Sequence, residues 1–141
     1  MQLTESTMKL ATLAGQNFSE ATKEMTAAIR AFNMEMSEGE RITDVYSELA
    51  AHAAADVNGI ATAMSKVASI AASSGAKFEN IAAFLTQIIE TTQEAPTNAG
   101  TALKTVIARF SEVKENVEDT EIDLENFDIN KMDTALKSVG I

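Results

Sequence analysis

The stretch EAPTNAGTAL, residues 94–103, places Pro96 and Gly100 directly ahead of a strongly amphipathic segment. Proline is tolerated at the first position of a helix, because its missing N–H would have no intrahelical partner there. Gly100 then falls within the first turns, where glycine costs about 1 kcal/mol relative to alanine. The pattern predicts a helix that begins at Pro96 and approaches another backbone closely at Gly100; a frayed helix start without a packing role is the alternative.

Apolar residues recur at intervals of three and four almost everywhere before residue 118, which is the spacing of one helical face. The helix after Pro96 carries its stripe at Leu103, Val106, Ile107, Phe110 and Val113. Four earlier stripes predict four more helices of roughly 12 to 18 residues, because globular helices commonly have this length.

Short polar residues and glycines mark the ends of these earlier helices. Ser19 is the expected N-cap of a helix over residues 19–36. Ser37 and Glu40 match the S-x-x-E capping pattern ahead of the second helix. The third stripe runs from 57 to 71 and the fourth from 78 to 89, with Gly75 between them as a left-handed C-cap.

Composition favours helices that pack tightly around a thin core. Of 141 residues, 24 are alanine, aromatic residues make up 5% and tryptophan is absent. Alanine has high helix propensity and lets neighbouring helices approach closely, but it offers little area to bury. Since Gly or Pro interrupts the chain about every twenty residues, we expect an all-α fold of about five to six short amphipathic helices. They would form a compact antiparallel bundle and not one long rod.

The formal charge of −10 opposes direct binding to nucleic acid or to anionic membrane surfaces. The absence of cysteine excludes a disulfide framework and a thiolate zinc site. The longest apolar run, IAAFLTQII at 81–89, is too short to span a bilayer, and we expect neither a membrane span nor a secretory signal.

The composition changes after Val117, which predicts three regions. Residues 1–117 form the helical region, 118–128 an acidic linker, and 129–141 a short C-terminal helix that Asp128 could cap. Alternation of acidic and apolar residues at 121–125 leaves a short extended segment as the alternative, but repulsion between the acidic groups favours a solvated linker.

Few residues suggest chemistry. Asp44, Glu48, His52 and Asp56 follow one another at i+4 spacing, a conceivable divalent-cation ridge; a solvated helix face, with Asp56 capping the next helix, is the favoured interpretation. The acidic stretch 118–128 lacks the glycine and the terminal glutamate of a calcium loop. We therefore predict no catalytic, cofactor-binding or metal-binding residues, no cofactor, and no enzymatic activity.

Residues 8–114 resemble the conserved region of phage tail tape measure proteins. The resemblance rests on several blocks in the family's order: AAIRAFNME near Ile29, DVNGIATAM near Ile60, FENIAAFL near Phe78 and AGTALKT near Gly100. The final INKMDTALKSVGI is similar to the segment that follows in these proteins.

The resemblance implies a structural virion protein in the tail lumen, assembled in the bacterial host cytoplasm, that sets tail length and scaffolds the tail tube. It also implies partners among tail-tube, tail-tip and assembly-chaperone proteins, and self-association. Because family members are commonly much longer, the chain would be an excised fragment or part of a defective prophage. Two alternatives remain: an acidic helical adaptor with a groove for a partner helix, and a metal-dependent hydrolase centred on Asp44, Glu48 and His52.

Overall fold

The computed structural model describes residues 2–116, in which six α-helices and one short 3-10 helix follow one another. The α-helices are α1 Gln2–Ala14, α2 Phe18–Ala31, α3 Gly39–His52, α4 Val57–Ser73, α5 Phe78–Thr92 and α6 Pro96–Asn116; the 3-10 helix spans Met36–Glu38. The predicted all-α class and the compact bundle are confirmed. The predicted acidic linker 118–128 and the C-terminal helix 129–141 lie outside the described residues.

Helix α4 lies at the centre of the bundle and packs against each of the other five α-helices. Nine of its 17 residues are buried, so its contacts extend well beyond one apolar stripe. Ile60, Met64 and Val67 are almost completely buried, and alanines fill the remaining positions of its buried surface. Because α4 is short of polar residues on most sides, it can be stable in water only with neighbours on those sides.

The closest approach between two helices is at Gly100 of α6, which packs directly on the backbone of Ala63 in α4. A Cβ at position 100 would overlap the Ala63 carbonyl oxygen and would lie 3.0 Å from the Lys66 Cβ. One turn earlier, Gly59 lies against the ring of Pro96, whose Cγ would be 3.2 Å from a Cβ at position 59. The pairs 59 with 96 and 63 with 100 show that α4 and α6 run side by side in the same direction. The predicted close backbone approach at Gly100 is confirmed.

Three aromatic rings join α2, α3 and α5 on another side of α4. Phe78 lies between Phe32 and Tyr46, with ring centroids 5.6 Å apart in both pairs and an edge-on arrangement toward Phe32. Such offset and edge-on pairs add to the energy of burial alone. Phe78 and Tyr46 belong to the buried core, and Phe32 packs against it.

Four of the helices end at a residue in the left-handed backbone conformation. Gly15, Asn33 and Gly75 have positive φ, and the residue after each donates a backbone hydrogen bond back to the last helical turn. This is the Schellman arrangement, which satisfies carbonyls that the helix leaves without partners. Gln93 ends α5 with a single bond from its N–H to the Ile89 carbonyl, 3.0 Å long. The predicted left-handed cap at Gly75 is confirmed.

The bounds of the early helices differ from the predictions. Helix α2 begins at Phe18 and ends at Ala31, and its N-cap is Asn17, whose Oδ1 accepts from the Glu20 N–H at 2.9 Å, so the assignment of Ser19 was wrong. The predicted Ser37 and Glu40 capping box was also wrong. The box forms between Glu35 and Glu38 ahead of the 3-10 helix, because the chain turns earlier, at Asn33.

Helix α1 was not predicted, because its buried face is partly polar. Ser6 and Thr7 are buried next to Leu10, and their hydroxyls donate to the carbonyls of residues four positions earlier, which removes the cost of burying them. Ser6 also lies against Gly39 at the start of α3. A face with two buried hydroxyl side chains gives only a weak apolar periodicity.

We expect Gly100→Ala to destabilise the protein. Helix propensity alone would add about 1 kcal/mol, but overpacking against a helix backbone costs about 1–3 kcal/mol, which leaves a net loss of up to about 2 kcal/mol. The measurement is the free energy of unfolding from urea titration followed by circular dichroism. Thr101→Ala, at an exposed neighbouring position of α6, is the control and should change little. Stabilisation by Gly100→Ala would show that α4 and α6 can separate freely.

Candidate interaction surface

An open groove of about 500 Å³ runs along α4, bordered by α2 and by the start of α6. We call it the polar groove. Its lining residues are Gln16, Glu20, Lys23, Glu24 and Ala27 from the α2 side, Asn58, Thr62, Ser65 and Lys66 from α4, and Thr97 from α6. The groove is open to solvent, and nine of its ten lining residues have polar or charged side chains. It is therefore suited to a polar polypeptide segment more than to an apolar small molecule.

Glu24 ties the α2 side of the polar groove to α4. One of its carboxylate oxygens accepts from the Gln16 amide at 2.7 Å and the other from the Thr62 hydroxyl at 3.0 Å. Behind it, Tyr46 is buried; burial raises the pKa of its phenol, and the negative charge of Glu24 adds to that shift. Both carboxylate oxygens of Glu24 therefore accept hydrogen bonds from residues of the fold itself.

Lysines border the groove without anionic partners. Among the described residues, Lys23, Lys66 and Lys104 form no ion pair, whereas Lys9, Arg41 and Arg109 each contact at least one carboxylate. Lys23 and Lys66 line the groove itself. Lys104 follows Thr97 by seven residues, so it lies two turns further along the same side of α6. The groove also contains the carboxylates of Glu20 and Glu24, so its lining residues carry no net charge.

A second, much smaller cavity lies between α5 and α6. Ile81, Phe84, Leu103 and Ile107 supply most of its apolar lining, and its volume is about 20 Å³. That volume suffices for about one water molecule, far below the roughly 300–1,000 Å³ of typical ligand pockets. This cavity is a packing gap in the bundle and not a binding site.

The candidate cation ridge does not assemble. Asp44 contacts Lys9 of α1 at 2.8 Å, while Glu48 and His52 pair with each other at 3.0 Å on an exposed part of α3. Asp56 lies beyond the end of α3, and its Oδ1 accepts from the Gly59 N–H at 2.6 Å as the N-cap of α4. Within residues 2–116, no three His, Cys, Asp or Glu side chains are grouped to hold a metal ion. The interpretation of Asp56 as a cap is confirmed.

Arg41 links two parts of the chain at the start of α3. Its guanidinium donates a hydrogen bond to the Glu38 carboxylate at 2.6 Å, and its Nε donates one to Glu79 of α5 at 2.8 Å. The Glu35 backbone N–H and then Arg41 hold the pKa of the Glu38 carboxyl below its ordinary value. This contact between distant segments could not be read from the sequence, because Arg41 and Glu79 are 38 residues apart.

Together, these observations describe a helical module that presents an open surface groove. The chain belongs to the phage-related minor tail protein family, whose model matches residues 1–140. Membership of this family places the chain among the structural components of the phage tail.

A curated relative supports the same assignment. The chain is 29% identical over 104 residues to a protein named tape measure protein from Pneumococcus phage Dp-1. The matched part is 74% of this chain but only 9% of that relative, so the chain spans a small part of the relative's length. No solved structure matches. The predicted resemblance to phage tape measure proteins is confirmed.

In the described part of the chain, no helix has the length and apolar character needed to cross a membrane.

We expect Asp56→Ala to lower the free energy of unfolding by about 1 kcal/mol, because it removes the N-cap of the central helix. Asp56→Asn is the control, since its amide oxygen can accept the same hydrogen bond from Gly59. Urea titration measures both variants. An equal loss in the two variants would mean that the charge of Asp56, and not its capping bond, stabilises the protein.

The lowered pKa of Glu38 predicts a pH dependence. A carboxyl whose folded pKa lies below its unfolded value of about 4.5 stabilises the fold above that pH. The contribution disappears as the pH falls through the folded pKa. Glu38→Gln should therefore be less stable than the wild type at neutral pH and should lose less stability on acidification below pH 4.5. Denaturant titrations at several pH values, with Glu5→Gln as a surface control, test this. Identical pH profiles for Glu38→Gln and the wild type would contradict it.

Proposed function

We propose that this chain is a folded assembly module of a tape measure protein, and that the residues encoding tail length lie in other parts of the longer protein. The complete protein would set tail length and scaffold polymerisation of the tail tube. The observation that carries the proposal for this segment is the packing of five α-helices around α4. Membership of the minor tail family and the resemblance to a named tape measure protein support the wider role.

The geometry of helices explains why a compact module is a poor ruler. Residues 2–116 in one continuous helix would extend over about 170 Å at 1.5 Å per residue. The longest helix of the fold, α6, has 21 residues and spans only about 31 Å by the same rule. Adding or removing residues within such a bundle changes its packing much more than its length.

The proposed partners are tail-tube, tail-tip and assembly-chaperone proteins, together with other copies of the chain. The proposed location is the tail lumen of the virion, after assembly in the host cytoplasm. We propose a structural role without catalysis, which the family of tail components supports. The acidic surface supports a role that involves protein contacts and no direct binding of nucleic acid, because like charges repel a phosphate backbone.

Two changes in the phage that encodes the protein test the proposal. The first deletes residues 2–116 in frame; the second, Val67→Asp, keeps the chain length but places a charge at a fully buried position of α4. Tail lengths are measured by electron microscopy of negatively stained virions, and infectivity is measured by plaque counts. Val67→Leu, a small apolar change at the same position, is the matched control.

An assembly module predicts that the deletion and Val67→Asp share one phenotype, either missing tails or tails of normal length with reduced infectivity. A helical ruler predicts instead that the deletion shortens tails by about 170 Å while Val67→Asp leaves tail length and infectivity unchanged. Proportional shortening would therefore overturn the proposal. Normal infectious phage from both changes would instead favour a cellular adaptor over a virion component.

A further inference from the structure

We propose that Asn58, at the start of α4, is a site of spontaneous deamidation, and that the Asp56 cap slows this reaction in the folded chain. The inference goes beyond the proposed function and does not depend on it, because it concerns the chemistry of one helix start. Of the eight asparagines in the sequence, Asn58 is the one that a glycine follows. Asparagine is a thermolabile residue, and Gly59 has no Cβ to obstruct attack by its backbone nitrogen.

The reaction needs only the chain and water. The backbone nitrogen of Gly59 attacks the side-chain carbonyl carbon of Asn58, and a new C–N bond forms. The C–N bond of the Asn58 amide breaks, and the amide nitrogen leaves as ammonia with the proton that the Gly59 N–H gives up. The product is a five-membered cyclic imide. One water molecule then opens this ring at either carbonyl, which leaves aspartate or isoaspartate at position 58.

The native start of α4 keeps the reacting atoms apart. The Gly59 N–H donates to the Asp56 Oδ1 at 2.6 Å. The Asn58 Oδ1 accepts from the Thr62 hydroxyl at 3.2 Å. Ring closure requires the Gly59 nitrogen to lie in line with the Asn58 Cβ, whereas a helical residue keeps ψ at about −42° and holds this nitrogen to one side. The first turn of α4 must therefore open, and the bond to Asp56 must break, before the imide forms.

The position of Asn58 favours a local opening over unfolding of the whole bundle. Asn58 is exposed and lines the polar groove, so water reaches its amide. The first N–H groups of a helix have no intrahelical partners, and helix ends open more readily than cores. The Asp56 carboxylate supplies the side-chain cap that opposes this opening, together with the packing of Gly59 on Pro96.

The two products change the central helix in different ways. Aspartate at position 58 adds a negative charge in the first turn of α4, where the helix dipole favours it. Isoaspartate instead routes the backbone through the side-chain carbons, which adds an extra atom to the main chain directly before Gly59. This lengthens the path between Asp56 and Gly59 that the capping bond spans. Isoaspartate therefore records, irreversibly, that the start of α4 has opened.

The test follows deamidation of the full-length chain by mass spectrometry after incubation at neutral pH. The tryptic peptide 42–66 contains Asn58 and no other asparagine, so the mass gained when an amide becomes a carboxylic acid measures the reaction. In concentrated urea, Asn58 should react faster than in the folded chain and faster than Asn98, which alanine follows. The rate of each folded variant is divided by the rate of the same variant in urea, which removes any effect of the substitution on the chemistry itself.

Removal of the cap should accelerate the reaction in the folded chain. When opening and closing are fast, the rate follows the population of the open form, so Asp56→Ala should react about fivefold faster than the wild type. Asp56→Ser retains a capping oxygen and adds no asparagine, and it should stay close to the wild-type rate. Asn17→Ala is the matched control, because it removes the side-chain N-cap of α2 and should leave deamidation of Asn58 unchanged.

Three results would overturn the proposal. The first is conversion of Asn58 in urea that is no faster than that of Asn98. The second is an equal rate in the folded Asp56→Ala and Asp56→Ser chains, which would mean that the capping bond does not limit the reaction. The third is equal acceleration by Asp56→Ala and Asn17→Ala, which would assign the reaction to unfolding of the whole bundle instead of opening at α4.

Discussion

The contact between Gly100 and the Ala63 carbonyl sets the distance between α4 and α6, and the rest of the bundle depends on the burial of α4 that this contact completes. Without a side chain at position 100, α6 lies directly on the backbone of α4 and covers Ala63, which has little apolar area to attract a distant neighbour. A core rich in alanine gains stability only when its helices lie this close, because dispersion falls steeply with distance. The local cost of glycine in α6 is thus offset across a whole helix interface.

The sequence predicted several local features of the fold correctly, although the caps at Ser19 and at Ser37 with Glu40 were wrong. The correct predictions each depend on residues within one turn. They are the helical periodicity, Pro96 at a helix start, the left-handed cap at Gly75 and the N-cap at Asp56. The central position of α4 in the bundle could not be predicted in this way, because alanine on a helix is compatible with either burial or exposure. Only the packing of five neighbours shows that both the apolar stripe and the alanine face of α4 are buried.

Helix α1 and the polar groove were missed because both depend on polar side chains whose partners the apolar periodicity does not indicate. Ser6 and Thr7 are buried in α1 because their hydroxyls bond back to the helix, and this pattern has no apolar periodicity. The polar groove likewise combines α2, α4 and the start of α6, and Glu24 connects residues up to 38 positions apart. Neither spacing nor composition places these groups together, so the candidate surface could be found only in the structure.

The same packing supports the proposed assembly role of this segment over the role of a ruler. To form a continuous rod, the left-handed residues at the four helix ends would have to become helical, and Ile60, Met64 and Val67 would become exposed to water. Exposure of each such side chain costs about 1.5–3 kcal/mol, which is a large fraction of the stability of a domain of this size. An extended form is therefore stable only where other proteins cover α4 in place of its present neighbours. In the isolated chain, the burial of α4 and an extended ruler exclude each other.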